Sequence, residues 1–159
     1  MTFRLIQAKD DSQLAGLIRS TLETFQLDLP GTVYYDPELD HLSDFYQSKP
    51  QERAYYVAVD DQDRVLGGVG YAACGLFDHC AELQKLYLAP QSQGQGLGRA
   101  LMELVMDKAR AAGYQRLYLE THSKLATAII LYQKYGFREI PRPDHLIHTT
   151  MDRFFLKDL

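Results

Sequence analysis

The sequence predicts a mixed α/β domain over residues 1–159, with a mostly antiparallel sheet of six to seven strands and four helices. The first observation is the element order, β-α-α-β-β-β-α-β-α-β-β, in which the apolar period changes between helical and strand spacing. The second is a helix between the predicted strands Glu82–Leu88 and Gln115–Thr121, since a helical crossover predicts a parallel pair. The third is a length of 159 residues with 46% hydrophobic content, enough for one core.

The N-terminal segments predict one strand and two helices. Thr2–Ala8 alternates imperfectly between apolar and polar residues, as a half-buried strand does. Asp10–Ser12 supplies capping residues for an amphipathic helix over Leu14–Phe25. A second helix is predicted over Pro37–Lys49, because proline favours the first helical position and apolar residues recur at helical spacing after it.

A β-hairpin follows. Ala54–Val59 and Val65–Ala73 are rich in apolar and aromatic residues, and an acidic turn separates them. Gly67, Gly68 and Gly70 weaken the second strand, because glycine offers no side chain to pack. Such glycines predict a bulge or a close approach of other atoms to the backbone.

The C-terminal half alternates strands and helices, and a proline or a glycine follows three of these elements. Pro90 ends a strand because it lacks an N–H, and Gly113 and Gly136 follow helices as C-terminal glycines do. The predicted elements are the strand Glu82–Leu88, a helix from Leu97 to Ala112, the strand Gln115–Thr121, a helix over Leu125–Tyr135, a strand that starts at Phe137 and a last strand over Thr149–Lys157.

Composition excludes several classes of protein. The net charge is −4 and no basic run could neutralise a row of phosphates, so we expect no nucleic-acid partner. No apolar run reaches membrane-spanning length, and the N-terminus carries acids where a signal peptide is apolar, so we expect a cytoplasmic protein without a membrane partner. Cys74 and Cys80 form no CxxC pair and are expected to be small apolar fillers.

The glycine-rich loop Gln93–Gly98 runs directly into a predicted helix. Residues without Cβ let an anion approach the backbone, and the first-turn N–H groups and the helix dipole favour negative charge there. Arg99 adds a positive charge. The spacing differs from both the P-loop and the dinucleotide fingerprint. The loop therefore predicts a site for a phosphate-bearing ligand, and the alternative is a tight turn that binds nothing.

Two motifs resemble one known family. Gln93-x-x-Gly96-x-Gly98 resembles the Gln/Arg-x-x-Gly-x-Gly/Ala signature of the GNAT acetyltransferase superfamily, and Ala128–Phe137 is similar to its A-I-x-L-Y-x-K-x-G-F segment. The resemblance extends over Arg4–Leu156. It implies a sheet whose central parallel pair splays around acetyl-CoA. It also implies that an acetyl group is transferred to a primary amine of a small molecule or peptide. The amine attacks directly in a ternary complex, and no metal takes part.

The resemblance also implies which residues contact acetyl-CoA. In the family, backbone groups of the strand segment matched by Leu86, Tyr87 and Leu88 bind the pantetheine arm and steady the thioester oxygen. The glycine loop and first helical turn hold the pyrophosphate; the residues matched here are Gln93, Gly94, Gln95, Gly96, Leu97, Gly98 and Arg99. Leu125 stands where many relatives carry an asparagine, so that amide contact is not carried over.

Tyr132 matches the family's general acid, which protonates the departing thiolate; a phenol with a pKa of about 10 holds its proton at neutral pH. Its alternative is a purely packing role. Glu120 and Glu82 each match a position where some branches place a general base. The alternatives are a solvated charge at Glu82, an orienting role of Glu120 beside His122, and a water chain in place of either base.

The acceptor site is expected in the N-terminal region, where the family diverges. The loop Leu27–Asp36 carries Tyr34 and Tyr35, which either face the amine or cover a sheet edge. His145 and His148 indicate no role at this level. Another acyl donor such as succinyl-CoA, and a catalytically idle domain that binds CoA as a sensor or interaction module, stay open. A homodimer is also compatible with the family, with the C-terminal strand as one contact.

Overall fold

One seven-stranded sheet organises the computed structural model, which describes all residues 1–159. In chain order the strands are β1 Thr2–Leu5, β2 Ala54–Val59, β3 Val65–Cys74, β4 Cys80–Leu88, β5 Arg116–Thr121, β6 Arg138–Ile140 and β7 Arg153–Asp158. Their order across the sheet is β1-β2-β3-β4-β5-β7-β6. Every neighbouring pair is antiparallel except β4 and β5, which confirms the predicted fold class.

Four α-helices pack on this sheet, as predicted. They are α1 Asp11–Thr24, α2 Leu42–Gln47, α3 Leu97–Ala111 and α4 Ala126–Lys134. The second helix is shorter than its sequence pattern indicated, because a separate 3₁₀ turn occupies Leu39–His41 before it. The segment before that turn holds another 3₁₀ turn, Val33–Tyr35, whose Tyr34 N–H donates to the Thr32 hydroxyl.

The two faces of the sheet carry separate apolar clusters. Alternate residues of β2 point to opposite faces, as strand geometry requires: Tyr55 and Val57 pack with α1 and α2, while Ala58 packs with α3 and α4. Leu101 of α3 is completely buried in the second of these clusters. The glycine loop and α4 are therefore fixed on one face, and the N-terminal helices lie on the other.

The parallel pair β4 and β5 is short. Pairing covers only Cys80–Glu82 with Arg116–Tyr118. Beyond these residues the two strands have no ladder between them, although each continues toward its C-terminal end. The strands therefore diverge, and their unpaired backbone groups open a gap in the middle of the sheet.

A β-bulge lies on β4 where the gap begins. Gly68 pairs with Tyr87 and Gly70 with Gln84, so Lys85 and Leu86 together stand opposite a single residue of β3. Lys85 has a φ of 52°, which is uncommon for a residue with a side chain. The glycine cluster of β3 thus marks a bulge, as its sequence predicts.

The same glycines also allow a close side-chain approach. Tyr55 lies flat over β3, and a Cβ at Gly68 would come 2.5 Å from its ring. Its hydroxyl crosses to β4 and donates to the carbonyl oxygen of Lys85 over 2.7 Å. Tyr55 is fully buried, so this hydrogen bond holds the bulge from inside the protein.

The remaining features concern the cysteines and the sheet edges. Cys74 and Cys80 face each other across β3 and β4 with free thiols, and the second is buried. The edge strands are β1 and β6, whereas β7 pairs on both sides. A dimer built by adding strands would therefore use β1 or β6. None of the helices combines the length and the apolar character needed to cross a membrane.

Candidate active site

A cavity of about 1030 Å³ occupies the gap between β4 and β5. Its lining divides into two groups of residues. The glycine-loop side includes Gln93, Gly94, Gly96, Gly98, Arg99 and Tyr132. The carboxylate side includes Thr21, Leu22, Phe25, Lys85, Glu120 and His148. The stretch Leu86–Leu88, whose edge toward β5 is unpaired, lines the same cavity, so one continuous space connects the loop with the carboxylate.

The glycine loop has the backbone conformation of an anion site. Gly94 and Gly96 have φ values of 75° and 82°, in the left-handed region that residues with a Cβ avoid. The N–H groups of residues 94–96 donate no hydrogen bond within the protein. α3 begins at Leu97, so its dipole points its positive end at the loop. Arg99 lines the cavity one turn into this helix.

Two residues of the predicted phosphate loop lie away from the cavity. The amide of Gln95 donates to the Gln91 carbonyl oxygen at 2.8 Å, which ties the loop to the preceding turn. Leu97 is buried in the core beneath α3. Neither residue lines the cavity, so their side chains shape the loop from behind.

Tyr132 lies on α4 between the core and the cavity. Its ring packs against Phe137 and Phe155, with centroids 5.9 Å and 6.3 Å away, and only 6% of the residue is exposed. Its hydroxyl makes no hydrogen bond within the protein, and burial raises its pKa above the usual value of a phenol. The packing and catalytic interpretations are thus compatible: the ring is held by the core while a protonated hydroxyl faces open space.

Tyr87 is a second phenol in the cavity. It lies on β4 next to the bulge, and burial raises its pKa, with the nearby Tyr132 adding to the effect. The sequence indicated only a backbone role for this position. The structure therefore offers two candidate proton donors to the same space.

Glu120 belongs to a chain of charged groups on the carboxylate side. Its Oε1 lies 3.1 Å from Nδ1 of His148, and its Oε2 accepts the Tyr118 hydroxyl at 3.0 Å. The other ring nitrogen of His148, Nε2, lies 2.7 Å from Oδ1 of Asp36. Burial alone would lower the pKa of His148, but the hydrogen bonds to the two carboxylates outweigh it and raise the pKa to about 9. The imidazole is therefore protonated at neutral pH.

Lys85 extends this chain by one more group. Its side chain is 4% exposed, and its Nζ lies 3.3 Å from Oδ2 of Asp36 and 3.9 Å from Oε1 of Glu38. Burial raises the pKa of Asp36, but His148 and Lys85 reverse the effect and hold it below its usual range. A buried carboxylate is thus kept charged between two cations.

Glu82 lies close to Glu120 but outside the cavity lining. It pairs with Tyr118 across the parallel ladder and accepts a hydrogen bond from the Gln84 amide. Burial raises its pKa, and the charge of Glu120 raises it further. Of the two predicted carboxylates, only Glu120 reaches the open space directly.

The predicted acceptor loop borders the cavity through Thr32 and Val33. The Tyr34 hydroxyl donates to Glu23 at 2.7 Å on the outside of α1, and Tyr35 is 62% exposed. Neither tyrosine belongs to the lining. Leu125, where the amide contact was not carried over, does line the cavity.

Comparison with known proteins identifies the family. The model of the "Acetyltransferase (GNAT) family" matches residues 18–137. The chain belongs to this family. It is 37% identical over 139 residues to the uncharacterized N-acetyltransferase YjgM of Escherichia coli K12, an alignment that covers 86% of this chain and 81% of that protein.

Solved structures show the same fold. A GNAT acetyltransferase from Staphylococcus aureus Mu50 superposes with a TM-score of 0.84 at 19% identity, covering 99% of this chain and 98% of that one. The yncA protein of Salmonella typhimurium, a putative acetyltransferase solved with its cofactor acetyl-CoA, gives 0.75 at 20% identity, covering 99% and 93%. These structures show the fold, while the family model and the relative YjgM show that the chain is a GNAT enzyme of the N-acetyltransferase type, which confirms the prediction made from its two motifs.

The sequence did not indicate the role of three groups in this GNAT site: Asp36, at the end of the predicted acceptor loop, His148 and Lys85. Asp36 and His148 are 112 positions apart, and each follows a segment without regular periodicity. Lys85 occupies a strand, where a single lysine ordinarily marks a solvent-facing position. The only sequence sign was the glycine cluster on β3, since the bulge that it permits changes where residues 85 and 86 point.

Proposed function

We propose that residues 1–159 form a single acetyltransferase domain that moves an acetyl group from acetyl-CoA to a primary amine, by direct attack while both substrates are bound. The observation that carries this proposal is the continuous cavity from the glycine loop, past Tyr132, to Glu120. No cysteine lines it, which favours direct transfer over a covalent cysteine intermediate.

The loop fits a pyrophosphate. The free N–H groups of residues 94–96, the positive end of α3 and Arg99 together favour a doubly charged anion. The unpaired edge of Leu86–Leu88 offers N–H and C=O groups to an extended amide chain, as another strand would. Bound there, acetyl-CoA supplies the acetyl group as a thioester, and the bulge lies at the start of this edge.

Glu120 is the proposed base. An alkyl ammonium has a pKa of about 10, so an amine must lose a proton before it attacks at neutral pH. Glu120 faces the cavity and accepts that proton directly or through water, while His148 and Tyr118 fix its two oxygens. The new C–N bond forms as the C–S bond breaks.

Tyr132 is the proposed acid. Its hydroxyl keeps its proton at neutral pH, has no partner in the protein and faces the cavity. It gives that proton to the departing sulfur, so the thiol leaves without a free negative charge. The cytoplasmic location predicted from the sequence belongs to the same proposal and is tested by cell fractionation.

The first test separates binding from turnover. The unfolding midpoint is measured with and without acetyl-CoA, and a ligand present at a hundred times its Kd adds about 2.7 kcal/mol to the stability of the folded state. Gly96→Glu places a side chain and a negative charge in the loop and is expected to abolish the rise. Release of free CoA is then followed with a panel of amines and peptides.

Three results are distinguishable. A rise in midpoint with CoA release supports the proposed enzyme, and replacing acetyl-CoA by succinyl-CoA in the same assay tests the choice of donor. A rise without release from any acceptor contradicts the catalytic proposal and leaves a CoA-binding domain. No rise at saturating acetyl-CoA refutes the assignment of the glycine loop.

A further inference from the structure

A row of alternating charges crosses the carboxylate side of the cavity. Lys85 Nζ lies 3.3 Å from Asp36 Oδ2, Asp36 Oδ1 lies 2.7 Å from His148 Nε2, and His148 Nδ1 lies 3.1 Å from Glu120 Oε1. The order is therefore cation, anion, cation, anion, and a further anion, Glu38, lies 3.9 Å from Lys85 Nζ. The two outer members, Lys85 and Glu120, both line the cavity, whereas Asp36 lies behind it.

Within this row His148 has both ring nitrogens at hydrogen-bond distance from a carboxylate, whereas the contact between Lys85 and Asp36 is a longer ion pair. Each ring nitrogen of His148 faces a carboxylate oxygen. Lys85, in contrast, makes no hydrogen bond of normal geometry: its two ion pairs measure 3.3 Å and 3.9 Å, and Asp36 Oδ2 is buried without a hydrogen-bond partner. An ammonium carries three donors, and leaving them unused in a buried site is costly.

The acceptor must therefore satisfy two opposite charges. Glu120 favours the amine end of a substrate, as proposed above. Lys85, whose two ion pairs are both long, favours an oxygen anion in the same space, and charge-assisted bonds to carboxylates are among the strongest polar contacts in proteins. A zwitterion adds no net charge to the row, whereas a plain amine leaves Lys85 with only its two long ion pairs, to Asp36 and Glu38.

Beside Thr21 and Thr32, this side of the cavity also has apolar lining residues. Leu22, Phe25, Val33 and Met151 line it, and 40% of Phe25 is exposed. An aliphatic or aromatic group on the acceptor would cover these side chains and remove them from water.

We propose that the acceptor is an amine that also carries a carboxylate, such as an apolar amino acid, with its carboxylate on Lys85 and its amine toward Glu120. This inference rests on the proposed N-acetyltransferase function, and it deepens that function by naming the substrate class. The bond changes of the transfer are the ones given above. Lys85 is a specificity residue that binds the carboxylate and takes no part in proton transfer.

The test compares acceptors in matched pairs with the full chain and acetyl-CoA. The standard amino acids and 4-aminobutyrate are each paired with an amine without the carboxylate, for example leucine with 3-methylbutylamine and 4-aminobutyrate with butylamine. We expect the best carboxylate-bearing acceptor to exceed its partner in kcat/KM by about 10- to 100-fold, the size of a lost charged hydrogen bond. A carboxylate-free amine that outperforms every amino acid overturns the proposal.

Substitution of Lys85 tests whether this residue causes the preference for carboxylate-bearing acceptors. Lys85→Met keeps the side-chain volume and removes the charge, so we expect the preference within each pair to disappear; Lys85→Arg should retain most of it. Lys134→Met is the control, because Lys134 lines the glycine-loop side and should not affect which acceptor is preferred. If Lys85→Met does not fold, the double variant with Asp36→Asn keeps the local charge balanced. An unchanged preference in a folded Lys85 variant overturns the assignment.

Calorimetry separates this inference from the proposed function. Amino acids and their paired amines are titrated into the protein loaded with CoA. Selective heat from carboxylate-bearing amines without any turnover supports the binding site and contradicts the enzyme proposal. Absence of heat from every carboxylate-bearing amine, with acetyl-CoA still raising the unfolding midpoint, refutes the inference on Lys85.

Discussion

Replacing Tyr55 by phenylalanine tests whether the bulge on β4 depends on one buried hydroxyl. The substitution removes only the oxygen that donates to the Lys85 carbonyl over 2.7 Å, and it leaves the ring in place against Gly68 and Gly70. Because Tyr55 is completely buried, water has no ready path to replace the lost donor. The free energy of unfolding should fall by about 1–3 kcal/mol.

The assay has a thermal and a kinetic part. For a chain of 159 residues, a loss of that size lowers the unfolding midpoint by roughly 2–12 °C. We also expect kcat to fall while the KM for acetyl-CoA changes little, because the bulge aims the backbone near the reacting carbonyl and the glycine loop is untouched. Tyr56→Phe is the matched control: Tyr56 is the next residue on β2, and its hydroxyl makes no hydrogen bond within the protein.

Three results would refute this reasoning. An unfolding free energy equal to that of the wild type would show that the hydroxyl does not stabilise the bulge. A loss of stability with unchanged kcat would show that the bond is structural and that the bulge geometry does not depend on it. Equal losses in Tyr56→Phe would attribute the effect to any tyrosine on β2.

Further predictions concern the groups in the cavity. Tyr132→Phe should lower kcat about 100-fold, which is the usual contribution of one general acid. Tyr87→Phe should lower kcat much less. If steady-state kinetics give the reverse order, Tyr87 is the general acid instead of Tyr132. Glu120→Gln should lower kcat/KM by a similar factor at neutral pH, and kcat/KM should recover as pH rises because more of the amine is then deprotonated. Glu82→Gln is the control. An equal loss of kcat/KM in Glu82→Gln contradicts the choice of Glu120 as the base. The raised pKa of His148 means that its protonated form is stabilised by folding, so this contribution of about 1–3 kcal/mol is complete below pH 6.5 and is lost as pH rises through about 9. Denaturant unfolding of His148→Gln should show a flatter profile across that range, and an identical slope would count against the ion pairs.

The parts of the site that the sequence could predict depend on neighbours in the chain. The glycine loop, the first turn of α3 and the tyrosine of α4 belong to short motifs, and the structure places them along one cavity. The second helix is shorter than predicted because a 3₁₀ turn occupies Leu39–His41, and the other three helices begin and end within three residues of their predicted bounds. Local patterns predicted the glycine-loop side of the cavity well, because that side is built from one loop and the two elements that flank it.

The carboxylate side could not be predicted in the same way. His148 faces Asp36 and Glu120 only because two irregular segments meet: Thr150 donates from its N–H to the Gly31 carbonyl at 3.1 Å and fixes one against the other. Lys85 faces the cavity because the bulge turns its strand. Both depend on distances between remote residues, and a propensity or a short motif carries no information on such distances.

The position of β7 has a consequence for how the protein is made. This strand is the last in sequence, yet it lies between β5 and β6, and its Phe155 packs against the ring of Tyr132. On the ribosome, the edge of β5 therefore stays open until β7 has emerged, and open strand edges invite pairing with other chains. A chain truncated before residue 153 should be prone to aggregation rather than a folded enzyme of lower activity.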